Sequence, residues 1–218
     1  MQFSQENKSS LFANALKFQA NDRLEEFRQY TQEIESKFDA DKAELARRYS
    51  DSINGLSVDE VNEVNECFSD DYYVMEEVYV GLYRKSTLVS LYSFLENAMN
   101  RLCRCLARKN SYSFALNDLK GEGIVRARNY LEKSAGADFN LLNGEWSNLM
   151  ILNKVRNCIV HCEGDVSAFN SGSIAGIINA TPGLSLRSER LIMVERIYID
   201  ACITTVEEFL EKLYNQLL

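Results

Sequence analysis

With 218 residues, 46% of them hydrophobic, and a formal net charge of -8, the chain can fill one compact core but is too acidic for indiscriminate polyanion binding by its whole surface. A single proline, Pro182, and sparse glycine before Gly121 leave long stretches without a helix breaker, which predicts an all-α fold rather than a sheet. The first residues carry no apolar run with a cleavage site, and no uncharged segment reaches bilayer length, so a cytoplasmic protein without membrane partners is expected.

Along the chain, Leu24, Phe27, Ile34, Phe38, Leu45 and Tyr49 recur at helical spacing through residues 21–52 on a charged background, with Thr31 and Asp41 interrupting the seam. A charge-rich helix with a narrow seam is an arm or one half of an antiparallel hairpin. Residues 1–70 are therefore read as an acidic helical arm and 71–218 as the main domain. Asn54 and Gly55 break the pattern, and Ser57-Val58-Asp59-Glu60 is a capping box that opens a second helix. Residues 72–108 are apolar on every side and predict a central helix bent at Gly81. Leu88, Leu91, Leu95, Ala98, Leu102 and Leu106 form one stripe on it. Val89, Tyr92, Met99 and Cys103 form another, with Glu96 set in its middle.

Two more helices are expected over 123–134 and 145–162, the latter stopping near Glu163, Gly164 and Asp165. Residues 167–182, rich in Ser, Gly, Asn and Ala, have no helical period and read as a loop. Residues 184–186 and 191–194 predict a short β-hairpin across Ser188 and Glu189, and 197–218 return to a helix. The six cysteines, Cys67, Cys103, Cys105, Cys158, Cys162 and Cys202, form no CxxC pair and are expected to be reduced residues of helix interiors.

The chemistry concentrates on one helix. The only histidine, His161, follows Asn153 and Asn157 at i+8 and i+4, a narrow polar strip on an otherwise apolar helix, with Arg156 beside it. The run Arg156-Asn157-Cys158-Ile159-Val160-His161 resembles the Arg-x(4–6)-His motif of the HEPN superfamily, in which the residue after the arginine is commonly polar. The resemblance covers 72–218 and leaves the amino-terminal arm outside it. It implies a HEPN-type helical bundle and a metal-independent, cofactor-free endoribonuclease whose two motifs meet across a homodimer. The implied role is that of a toxin or antiphage defence effector, with an antitoxin or defence-system protein as a further partner.

Arg156, Asn157 and His161 are then the expected catalytic residues, with Asn153 and Glu96 in support. Arginine grips phosphate and histidine moves protons, the two needs of cleavage by the RNA's own 2′-hydroxyl. One chain holds one histidine, so a mechanism using two requires a second copy. Glu96 is expected to pair with Arg156 and aim its guanidinium. Arg101, Arg104, Arg108, Arg126 and Arg128 are candidates for an RNA path, the competing reading being a solvated helix face. The alternative for the whole domain is a catalytically inactive HEPN-like module that binds RNA or protein. Cys158, His161 and Cys162 match no zinc spacing, and Gly121-Glu122-Gly123 lacks the lysine of a phosphate loop, so no metal is expected.

Overall fold

The structure, a computed structural model, describes residues 5–110, 112, 115–169 and 174–218, with side chains from Asn14 onward. Its first helix, α1 (Gln5–Ile53), begins well before residue 21, because Leu16 and Ala20 continue the stripe of Leu24, Phe27, Thr31 and Glu35 that is buried against the bundle. The seam therefore does not break at Thr31. Its hydroxyl donates back to the Arg28 carbonyl at 2.9 Å, which lets the residue lie inside. At 49 residues α1 is roughly 70 Å long. Its first part lies against the last helix, α7 (Arg196–Leu217), held by Arg28 to Glu207 and Lys17 to Asn215.

Beyond Glu35, α1 leaves the bundle and pairs with α2 (Val58–Tyr73), where Tyr49 meets Phe68 edge-on and donates to Asn65 at 2.6 Å. The turn between them is set by Gly55 at φ +83°. The Glu60 carboxylate then accepts from both the amide and the hydroxyl of Ser57, which starts α2 as the sequence predicts. No residue of α2 is buried, so this hairpin is an arm.

The chain then runs unbroken from α2 through a π-helical stretch (Val74–Val80) into α3 (Gly81–Asn110). Two expectations are corrected here. The irregularity is a change of winding over seven residues rather than a bend at Gly81, and the segment is not apolar on all sides by virtue of burial. Tyr72, Tyr73, Val74, Val78 and Tyr79 are exposed because this portion lies on the arm side of the bundle. From Leu88 onward α3 is the central helix expected, with Leu88, Leu91, Leu95, Met99, Leu102 and Cys103 inaccessible to solvent.

Around α3 pack α4 (Gly123–Ala135), α5 (Asn143–Cys162) and α7. Phe139 meets Trp146 edge-on and Phe209 lies tilted against both at the foot of α5, with the Arg128 guanidinium over Phe139 and Trp146. The strands β1 (Leu184–Arg187) and β2 (Leu191–Val194) form the expected antiparallel hairpin, turned through Ser188 and Glu189 at positive φ. The expected loop at 167–182 is different: α6 (Ile174–Ala180) occupies part of it, since Ile174 and Ile178, one turn apart, are buried against the core despite the Ser- and Gly-rich context. Residues 170–173 of that segment lie outside the described residues. Among the described residues no helix is long and apolar enough to cross a membrane, and the six cysteines are free thiols. Cys103, Cys158 and Cys202 are buried, Cys105 and Cys162 half-buried, and Cys67 exposed.

Candidate functional site

Helix α5 is less enclosed than the sequence anticipates, with Val160 at the surface rather than in the core. Trp146, Leu149, Leu152, Val155 and Cys158 are buried on one side, while Asn153, Arg156 and Asn157 are half-buried and Val160 and His161 are exposed. The helix stops where Glu163 takes a left-handed φ of 54° and Gly164 donates its amide to the Cys158 carbonyl at 3.1 Å. This end is stitched to the hairpin. Ile192 donates to the Gly164 carbonyl, Val166 to that of Arg190, and Asp165 pairs with Arg190 at 2.6 Å. The Arg190 guanidinium, then the Ser167 hydroxyl, hold the Asp165 carboxyl well below the usual carboxylate range.

On the polar side of α5, hydrogen bonds run in one direction. Arg156 Nη1 donates to Asn157 Oδ1 at 2.9 Å, and Asn157 Nδ2 donates to Asn153 Oδ1 at 3.2 Å. The guanidinium lies over the ring of Tyr92 on α3, 5.2 Å from its centroid, and its Nε is buried without a hydrogen-bond partner among the described residues. Tyr92 is itself fixed, being 3% exposed within the core. Burial first, and the negative charge of Glu96 second, push its pKa up to about 12.

These groups open onto a cleft of about 550 Å³ between α3, α4 and α5, lined also by Glu96, Glu122, Gly123, Val125 and Arg126. Gly123, at φ +53°, is required there. A Cβ would stand 3.2 Å from the Tyr92 hydroxyl and 3.7 Å from the Glu96 carboxylate. A separate, largely apolar cavity of about 210 Å³ between α5 and α7 holds Tyr198 and Cys202, both raised by burial and ill suited to proton transfer.

The structure thus brings Arg156, Asn157, Asn153, Glu96 and Arg126 to one cleft. It does not bring the rest. Glu96 makes no ion pair with Arg156, correcting that expectation: the aromatic ring of Tyr92, one turn earlier on α3, is what holds the guanidinium, and the carboxylate faces Gly123 instead. His161 stands a turn beyond Asn157, exposed and outside the cleft. Arg128 is committed to Glu132 and to the rings of Phe139 and Trp146, whereas Arg101, Arg104 and Arg108 are exposed on α3. Lys85, half-buried on α3 beside Gly164, forms no salt bridge among the described residues, and burial, then the charge of Arg187, lowers its pKa. Sequence reasoning missed Tyr92 and Gly123. The signal was the pairing of Tyr92 with Glu96 at i and i+4, which sets an aromatic face and a carboxylate on one side of α3.

Among the described residues no group of three or more His, Cys, Asp or Glu is placed to hold a metal ion. In comparison with known proteins, no family model, no curated protein and no solved structure matches the chain.

Proposed function

We propose that the chain is a HEPN-type, metal-independent endoribonuclease that acts as a homodimer and serves as a toxin or antiphage defence effector. The observation that carries this reading is the Arg156 side chain, stacked on Tyr92 and bonded to Asn157, at an open polar cleft on a helix whose other side is buried. An arginine so held is preorganised for a phosphate, and the relay to Asn153 keeps its donors turned to the cleft. In the reaction the 2′-hydroxyl oxygen attacks phosphorus, the bond to the 5′-oxygen breaks, and the products carry a 2′,3′-cyclic phosphate and a 5′-hydroxyl. One His161 takes the proton from the 2′-hydroxyl and the His161 of a second copy returns one to the departing oxygen. Exposure of His161 and of Val160 beside it is what such a shared cleft needs.

The second reading, an inactive module that binds RNA or a protein, is favoured by the position of His161 outside the cleft that contains Arg156. Purified protein incubated with RNA in excess chelator, beside Arg156→Ala and His161→Ala, decides between the two. The nuclease reading requires cleavage with cyclic-phosphate ends that falls at least a hundredfold, on the order of one lost acid-base or oxyanion group, in each variant. A magnesium requirement or 5′-phosphate ends overturns it, and binding without cleavage supports the second reading.

A further inference from the structure

We infer that the cleft beside Arg156 receives a guanine base of the RNA and that Glu96 reads that base. The inference rests on the ribonuclease reading and adds the base. Glu96 is half-buried at the cleft wall, accepts no hydrogen bond, and has no cation in ion-pair range among the described residues. A carboxylate so placed offers two acceptor oxygens and no donor, so a ligand that displaces water from it must bring donors. The Tyr92 hydroxyl lies on the same side of Gly123 but makes no hydrogen bond to Glu96, which leaves both carboxylate oxygens to the cleft.

The rest of the cleft has the opposite character. Asn153 accepts from Asn157 through its oxygen, which leaves its amide N–H groups free, and Arg126 makes no ion pair among the described residues. A ligand fitted to this wall must carry adjacent donors on one edge and acceptors on the next. Among the four bases only guanine does, with N1–H and the N2 amine side by side and O6 and N7 on the neighbouring edge. Adenine and cytosine set a ring-nitrogen acceptor next to their single amine, which a carboxylate repels, and uracil flanks its one N–H with carbonyls. The cleft of about 550 Å³ has the size of a small-ligand site, and the missing Cβ at Gly123 keeps its Glu96 side open.

The test uses the full chain in chelator with labelled oligouridine carrying one central guanosine, inosine or adenosine, 2′-O-methylated so that it is bound and not cut. Fluorescence anisotropy should give an affinity for the guanosine oligonucleotide on the order of tenfold above that for inosine, which lacks only the N2 amine, with adenosine weaker still. Glu96→Gln should erase the difference between guanosine and inosine. Should that variant fold poorly, the comparison of the two oligonucleotides on the unaltered protein decides alone. Equal affinity for guanosine and inosine overturns the inference and leaves the ribonuclease reading to its cleavage assay. No affinity for any of the three overturns both.

Discussion

Arg156 rests on the face of Tyr92, whose side chain is 3% exposed in the core, so a buried ring on α3 fixes the direction of a guanidinium on α5. The ring matters more than the hydroxyl for holding the cation. Tyr92→Phe should therefore stay within about threefold of the wild-type cleavage rate, while Tyr92→Leu should lose about tenfold or more, the scale of a partly desolvated cation–π contact. Cleavage kinetics with a melting curve for each variant separates this from general loss of packing.

The shared-cleft mechanism makes Val160 informative, because it is 45% exposed on the motif helix and its replacement leaves the core intact. Val160→Asp should convert a dimer to a monomer by sedimentation and lower cleavage at least about tenfold, with little change in melting temperature, as is usual for surface positions. A monomer that still cuts at the full rate contradicts a composite site.

The pair Glu35–Arg84 ties α1 to α3 where Glu35 is only 2% exposed, with a bidentate contact of 2.7–2.8 Å and a further bond from Arg84 to the Val194 carbonyl. Removing one partner strands the other charge. Glu35→Ala should lower stability to urea by about 3–5 kcal/mol, and Glu35→Leu combined with Arg84→Met should recover much of that loss.

Acid should loosen the end of the motif helix. The Asp165 carboxyl is depressed in the fold by Arg190 and Ser167, so its stabilisation is complete above the ordinary aspartate value of about 4 and is lost as pH falls below it toward the folded value. Asp165→Asn should lower the melting temperature at neutral pH and flatten its fall between about pH 4 and the more acidic range, measured by thermal melts across pH.

Most of the architecture was legible in the sequence because helix stripes, the Ser57 cap, and the turn at Ser188 and Glu189 are local signals. The polar strip of α5 was legible for the same reason. What escaped was set by tertiary packing. Ile174 and Ile178 make α6 from a Ser- and Gly-rich segment only because the core receives them, and Glu35 reads as one more acidic arm residue until Arg84 meets it from α3. The partner of Arg156 was misread for a related reason. Glu96 and Tyr92 share a face of α3, and spacing alone does not say which of them the guanidinium reaches.

The π-helical stretch between α2 and α3 has a geometric consequence for the arm. Residues 74–80 wind with a wider turn than an α-helix, about 80° per residue in place of 100°, so seven residues accumulate a lag of roughly a third of a revolution. That lag sets which face of α2 turns toward α1, whose own course is fixed by its contacts with α7 and α3. The residue count is matched to the winding: seven residues here turn about 560° and six in an α-helix turn about 600°, so deleting one residue within 74–80 restores the α-helix and leaves the face of α2 within roughly 40° of its present bearing on α1.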